Sequence, residues 1–147
     1  MKLSTRGRYG VRALLELALQ EGKSPVSLKD IAQRQGISLQ YLEHLVTPLI
    51  AGGLVKSTRG AHGGISLAKS PSEIKLIDIL RLLEGSTAPV ECVEKPEVCI
   101  RSKRCATRDI WCEVNQAVTG ILNDTTLQEL VDRQKRKSEH EGSMYYI

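Results

Sequence analysis

The pattern of apolar and polar residues between positions 27 and 67 predicts two short helices, a tight turn and a hairpin. Apolar residues recur at helical spacing in two sets, and each set marks one buried helix face. The sets are Leu28, Ile31 and Ala32, and then Leu39, Leu42, Leu45, Val46, Leu49 and Ile50. Ser27 and Ser38 stand where N-cap oxygens are wanted. Gly36 lies between the helices, where a sharp turn favours a residue that tolerates positive φ, so we predict a helix-turn-helix.

The second of these helices turns a polar face away from its leucines. Its polar positions are Ser38 at the start, then Gln40, Tyr41, Glu43, His44 and Thr47. Glutamine, glutamate and histidine at an exposed helix end can hydrogen-bond to base edges in a major groove. The alternative interpretation is a small helical hairpin with a solvated polar face, and we favour DNA binding.

A predicted hairpin follows this helix. Its strands are expected at residues 54–58 and 65–67. The tip between them begins with Arg59 and Gly60 and ends at Gly64. A hairpin placed after a recognition helix is the wing of a winged helix. An arginine such as Arg59 at its tip suits a narrow minor groove.

A first helix is predicted from Ser4 or Thr5 to about Glu21, ended by Gly22. Its start carries a basic cluster with one tyrosine: Lys2, Arg6, Arg8 and Tyr9. Positive charge at a helix start is unfavourable because it opposes the helix dipole. Contacts to DNA phosphates would explain why the cluster is there. A solvated basic face is an equally good explanation. Pro48 lies inside the recognition helix and is expected to bend it.

The second half of the chain predicts a helix at residues 75–84, a loop at 86–105 and a helix that begins near Thr107. That last helix has an apolar stripe, which is either further core or a dimer interface, and we favour the interface. The stripe is Ile110, Trp111, Val114, Val118, Ile121 and Leu122. A capping box of Thr126 and Glu129 predicts a short final helix that ends at Val131, followed by a tail.

The predicted fold is therefore mainly α with a small β-hairpin. We expect a winged helix-turn-helix domain at residues 1–85 and a cysteine-bearing loop at 86–106. A long dimerisation helix and a short final helix are expected at 107–131, and a tail at 132–147.

The charge of the chain is uneven along its length. Residues 1–70 carry ten Lys and Arg against four Asp and Glu, a net charge of +6. Residues 71–147 carry eleven against thirteen, a net charge of −2. The basic half also holds the predicted helix-turn-helix, and such charge supplies the phosphate-contacting part of nucleic-acid affinity.

Several classes of protein do not fit this sequence. No apolar run is long enough to cross a bilayer, and charged residues interrupt the apolar ones near the start, so we expect no membrane span and no signal peptide. We therefore expect a cytoplasmic protein. The sequence also has neither a phosphate-binding glycine loop nor a Ser/His/Asp arrangement, so we do not expect an enzyme.

Four cysteines lie in the second half, at Cys92, Cys99, Cys105 and Cys112. In a cytoplasmic chain they are better explained as metal ligands or redox-sensitive thiols than as structural disulfides. The gaps are not those of a zinc ribbon, which uses pairs of cysteines two residues apart. Three thiolates in a loop can hold an iron–sulfur cluster, which we favour, while zinc or free thiols remain alternatives.

Four stretches of the chain resemble one bacterial family of winged-helix regulators, which includes IscR, the nitric-oxide sensor NsrR and CymR. They are M-K-L-S-T-R-G-R-Y-G, G-I-S-L-Q-Y-L-E-H-L, L-V-K-S-T-R-G-A-H-G-G and T-L-Q-E-L-V. The resemblance covers nearly the whole chain. It implies a homodimer that binds a double-stranded DNA operator.

The IscR branch of this family implies a [2Fe-2S] cluster on Cys92, Cys99 and Cys105, although the first gap is one residue longer here. In that branch a histidine is the fourth ligand, and Arg108 stands in its place. Arginine cannot be deprotonated to bind iron, so Cys112 or Asp109 is a candidate for the fourth ligand. In the NsrR branch the partner subunit supplies an acidic ligand from the position of Arg8, which argues against that branch.

The same resemblance implies roles for the DNA-reading residues. Gln40, Glu43 and His44 fall on base-reading positions, and Arg59 would enter the minor groove. Cluster occupancy would change which operators tolerate Glu43. Pro48 and the ending M-Y-Y-I resemble CymR instead. That branch implies a repressor of sulfur metabolism without a cluster, controlled by a cysteine-synthesis enzyme.

Overall fold

The order of elements follows the predicted winged helix through the first half of the chain. The computed structural model describes residues 2–20 and 25–144. The helices are α1 (Thr5–Leu19), α2 (Leu28–Gln35), α3 (Leu39–Ala51), α4 (Leu76–Glu84), α5 (Glu91–Glu94), α6 (Ala106–Asp124) and α7 (Leu127–Met144). The strands are β1 (Val55–Thr58) and β2 (Gly64–Leu67), and three short 3₁₀ turns lie at Pro71–Glu73, Pro96–Val98 and Ser102–Arg104.

Serine side chains cap the first three helices as the sequence indicates. The Ser4 hydroxyl accepts a hydrogen bond from the Gly7 amide at 3.0 Å. Ser27 and Ser38 accept the corresponding bonds at 3.1 and 3.0 Å. Each bond satisfies one of the free amides of a first helical turn. Gly36 joins α2 to α3 with φ +65°, the left-handed conformation expected of a turn glycine.

The two strands form the predicted antiparallel wing, in which Val55 pairs with Leu67 and Thr58 with Gly64. The wing is also joined to the segment before α2. The Val26 amide donates to the Ile65 carbonyl at 2.9 Å, and the Ile65 amide donates back at 2.8 Å. This reciprocal pair fixes strand β2 of the wing relative to the helix-turn-helix.

One apolar core connects helices α1 to α4, the wing and the start of α7. It contains no phenylalanine and is filled by aliphatic side chains. They include Leu14, Leu17, Ile31, Leu42, Leu45, Leu49, Val55, Ile65, Ile74, Ile79, Leu83, Leu127 and Val131. Ile77 of α4 is also buried.

The predicted ends of α1 and α7 differ from the observed ones. Helix α1 has its last helical residue at Leu19, and the expected end at Gly22 lies outside the described residues. The prediction that the final helix ends at Val131 was wrong, because α7 continues to Met144. Side-chain pairs four residues apart span the predicted end of the helix, such as Arg133 with Glu129 at 2.5 Å. The end of the predicted tail, residues 145–147, lies outside the described residues.

The segment predicted as a loop at 86–105 contains more structure than expected. It holds the single-turn helix α5 and two of the 3₁₀ turns. Helix α6 follows, and the structure describes no buried residue along its length. Three large apolar side chains of its stripe are exposed: Ile110 by 52%, Trp111 by 41% and Ile121 by 67%. The division of the chain into domains stays a prediction.

Candidate DNA-binding surface and cysteine loop

Helix α3 places the predicted base-reading side chains on its outer face. Leu42, Leu45, Val46 and Leu49 are buried, which leaves Gln40, Glu43 and His44 exposed. The helix continues through Pro48, and the Thr47 hydroxyl donates to the Glu43 carbonyl at 2.8 Å. The polar face is therefore presented by a helix whose opposite side is fixed in the core.

Two tyrosines that were predicted to face DNA pack against each other. The rings of Tyr9 in α1 and Tyr41 in α3 meet edge to face, with centroids 6.3 Å apart and planes at 88°. Both side chains are half-buried against the core. The Arg12 guanidinium lies 5.2 Å from the Tyr9 centroid, within the range of a cation–π contact. The pair therefore orients α3 on α1, a contact that sequence spacing could not indicate.

The tip of the wing is exposed and closes tightly. Gly60 has φ +113°, and its carbonyl accepts from the Gly63 amide at 3.0 Å. A Cβ on Gly63 would clash with the Thr58 carbonyl, so a larger residue cannot fit there without moving the backbone. Arg59 is exposed beside this turn. The tip therefore offers a guanidinium on a short, well-defined turn.

The basic residues before and within α1 are also exposed: Lys2, Arg6 and Arg8. Among residues 2–20 and 25–144, none of these three forms an ion pair. Glu84 holds this end of the helix, a role that the sequence did not reveal. Its carboxylate accepts from the Ser4 amide at 3.0 Å and from the Ser4 hydroxyl at 2.7 Å. A carboxylate at a helix N-terminus also balances the helix dipole.

The loop cysteines occupy three distinct local structures, and each side chain is half-exposed. Cys92 lies in α5, Cys99 follows a 3₁₀ turn, and Cys105 is the residue immediately before α6. Cys112 lies further along α6. All four are free thiols.

Two side chains tie the loop together. The Ser102 hydroxyl, the side chain of a buried residue, donates to the Pro96 carbonyl at 2.6 Å. The Arg108 Nε in α6 donates to the Cys92 carbonyl at 2.9 Å. The loop therefore has internal hydrogen bonds that do not depend on a metal.

The Cys105 thiol has a pKa below its ordinary value. The Thr107 hydroxyl, 3.1 Å from the sulfur, is the main cause, and the Arg108 amide adds to the effect. Hydrogen bonds of this kind stabilise the thiolate, which is the form that binds metals.

The cysteine loop meets the requirements of an iron–sulfur cluster in its donor atoms but not in their arrangement. Within the part of the chain that the structure describes, no group of three or more His, Cys, Asp or Glu side chains is assembled for a metal ion. The donor chemistry nevertheless fits, because three accessible thiols lie within fourteen residues of one loop. Metal binding would therefore require the loop to draw its thiols together. The identity of a fourth ligand, Cys112 or Asp109, stays a prediction.

Comparison with known proteins identifies the family. The family model described as "Rrf2: Iron-dependent Transcriptional regulator" matches residues 3–133. The chain belongs to the Rrf2 family. It is 45% identical to the HTH-type transcriptional regulator CymR of Bacillus subtilis over 147 aligned residues, which cover 100% of both chains.

Two solved structures of the Rrf2 family share the fold. The structure of B. subtilis CymR, the global cysteine regulator, has a TM-score of 0.80 at 44% identity and covers 90% of this chain and 98% of its own. The structure of T. potens IscR has the same TM-score at 40% identity and covers 99% of this chain and 97% of its own. The predicted family, the winged-helix fold and the expectation of a non-enzyme are thereby confirmed.

The chain is a transcriptional regulator of the Rrf2 family. In the described residues, no helix is both long enough and apolar enough to span a bilayer. A relative named HTH-type transcriptional regulator IscR, from Serratia proteamaculans, is 42% identical over 134 residues, close to the identity with CymR.

Proposed function

We propose that this Rrf2-family protein is a homodimeric, sequence-specific DNA-binding regulator that senses iron–sulfur status through a [2Fe-2S] cluster on Cys92, Cys99 and Cys105. The observation that carries this proposal is the cysteine loop. Three half-exposed thiols lie in one segment that leads directly into α6. Free cysteines are usually buried and inert, so several accessible thiols in one loop favour ligation.

DNA reading is assigned to α3 and the wing. Gln40, Glu43 and His44 are exposed on the helix face opposite its buried leucines, as direct readout in a major groove requires. Arg59 on the tight wing tip suits the narrow minor groove. The exposed cations before and within α1, Lys2, Arg6 and Arg8, would contact phosphates and fix the orientation of the protein on the duplex.

Dimer formation is assigned to α6. No buried residue is described on this 19-residue helix, and Ile110, Trp111 and Ile121 of its apolar stripe are exposed in one subunit. A second copy of the same helix would cover it, since closed two-fold dimers are the commonest soluble oligomers. Two joined helix-turn-helix domains would then read two half-sites of an operator.

The cluster would be held by the thiolates of Cys92, Cys99 and Cys105. When bound, it supplies a centre whose presence reports the supply of iron and sulfide. The protein itself would pass the change in cluster occupancy to the dimer. Cys105 precedes the first helical residue of α6, so a shift of this ligand acts at the start of the proposed dimerisation helix.

Anaerobic purification tests the proposal directly. We expect a coloured protein with iron and acid-labile sulfide. Cys92→Ala, Cys99→Ala and Cys105→Ala should each remove the colour. Cys112→Ala tests that residue as the fourth ligand, and it should remove the colour only if Cys112 also binds the cluster. Zinc bound stoichiometrically without sulfide would contradict the proposal.

A second candidate is a CymR-like repressor of sulfur metabolism that is controlled by a cysteine-synthesis enzyme and holds no cluster. The full-length similarity to CymR favours it. The two candidates differ in what the cysteines do. Under the second, a protein with Cys92, Cys99 and Cys105 all changed to Ala keeps its regulated operator binding, and addition of the partner enzyme changes that binding.

A further inference from the structure

Arg108 makes a contact that spans the cysteine loop. It lies in the first turn of α6, and its Nε donates to the main-chain carbonyl of Cys92, sixteen residues earlier, at 2.9 Å. The side chain is half-buried, so water does not fully screen this bond. Hydrogen bonds with a charged donor are stronger than those between neutral groups.

The segment that receives this bond has little stability of its own. Helix α5 has four residues, far fewer than an isolated helix needs in water. Its main-chain bonds include Val93 to the Val90 carbonyl at 3.2 Å and Lys95 to the Glu91 carbonyl at 3.0 Å. A side chain from α6 that holds the Cys92 carbonyl therefore restrains a segment that would otherwise open easily.

The position of Arg108 is unfavourable for the helix that carries it. A cation in the first helical turn opposes the helix dipole, which favours negative charge there. The only acidic residue in that turn is Asp109. The contact with the Cys92 carbonyl gives a physical reason for an arginine at this place, since it satisfies the guanidinium outside its own helix.

We propose that Arg108 is a positioning residue that fastens the Cys92 segment to the first turn of α6. The inference rests on the proposed function and deepens it. Both ends of the loop are then attached to the same helix turn: Cys105 directly through the chain, and Cys92 through Arg108. Cluster assembly requires the spacing of the loop thiols to change. Because both ends of the loop are attached to the first turn of α6, that change also acts on α6.

Hydrogen exchange of the metal-free protein tests the attachment itself. Arg108→Met keeps an apolar stem of similar length and removes the donor, while Arg108→Lys restores a cationic donor. In Arg108→Met, the amides of Val93 and Lys95 should exchange about tenfold faster, a factor typical of losing one charge-assisted hydrogen bond. Arg108→Lys should recover part of that protection.

Arg104→Met is the matched control, because Arg104 is an exposed arginine of the same loop. It should leave both exchange rates unchanged. Circular dichroism must show wild-type helix content in each variant. Unchanged exchange of Val93 and Lys95 in Arg108→Met would overturn the proposal.

Operator binding tests whether the attachment couples cluster binding to DNA binding. Each protein is measured with and without an anaerobically assembled cluster at one salt concentration. Arg108→Met should still take up iron and sulfide, but the ratio of its two dissociation constants should fall at least fivefold towards one. A variant that keeps the full wild-type ratio would refute the role of Arg108 in signalling. If the wild-type protein takes up no cluster, the proposed function fails, and the exchange experiment still decides the positioning role.

Discussion

The winged helix and the segment from the cysteine loop through α6 differ in how they are held together. The first has capped helices and a continuous aliphatic core. The second has single-turn elements joined by a few hydrogen bonds, and a long helix on which no buried residue is described. The exposed face of α3 is therefore held by a continuous core, to which α7 also contributes Leu127 and Val131. The loop and α6 instead leave thiols and apolar side chains accessible, which suits the metal binding and dimer formation that we propose for them.

The largest expected effect is a difference between the two regions in how much a substitution lowers the free energy of unfolding. Leu42 is fully buried, so Leu42→Ala should lower the free energy of unfolding by about 2–5 kcal/mol. Ile121→Ala on the exposed stripe should lower the free energy of unfolding much less, when the protein is dilute enough to be monomeric. Urea unfolding of both variants gives the comparison. Equal losses would show that α6 shares the core of its own subunit.

The second prediction concerns the apolar stripe of α6. Ile121→Glu would bury an unpaired charge in the proposed dimer interface and should weaken dimerisation by about 3 kcal/mol, roughly a hundredfold in Kd. Gln116→Glu adds the same charge at an exposed position on the opposite side of the helix and is the control. Sedimentation velocity across a dilution series measures both. If the Ile121→Glu dimer dissociates over the same concentration range as the wild-type dimer, this face is not the interface.

The third prediction distinguishes shape reading from phosphate contact within the winged helix. Arg59→Ala should weaken binding to the cognate operator by about 1–3 kcal/mol. Arg6→Ala should weaken binding to all DNA about equally and reduce the salt slope by about one. Titrations against cognate and unrelated duplexes at several salt concentrations measure both effects. If Arg59→Ala binds its operator as the wild type does, the wing does not read DNA.

The smallest effect on affinity is expected at Glu43, which we propose joins DNA reading to sensing. A carboxylate in a groove is tolerated where it meets a donor such as the cytosine amino group, and elsewhere it remains unpaired near phosphates. Glu43→Ala should therefore change cognate affinity by less than about 1 kcal/mol while it accepts more sequences.

The measurement for Glu43 uses two unlike operators, each with wild type and variant, with and without cluster. Glu43→Ala should discriminate less between the operators and depend less on the cluster. Gln33→Ala, at an exposed position of α2, is the control for loss of an exposed polar side chain. Should the variant keep the full cluster-dependent difference, the switch acts through α6 instead.

Local features of the sequence determined most of the winged helix. Serine caps, the turn glycine and the spacing of leucines each act within a few residues, so the helices α1 to α3 and the wing could be predicted. The same reasoning failed for α7. Its second half has no apolar stripe to mark it, although pairs such as Gln128 with Asp132 at 3.0 Å support the helix.

Contacts between distant parts of the chain were decided only by the tertiary structure. Ser4 and Glu84 are eighty residues apart. The edge-to-face tyrosines and the hydrogen bond from Arg108 to the Cys92 carbonyl likewise join separate elements. No periodicity or local motif encodes such pairs, since they arise when helices pack through their buried faces. The sequence by itself thus determined which residues are available for DNA and metal chemistry, and the packing decided which of them hold the others in place.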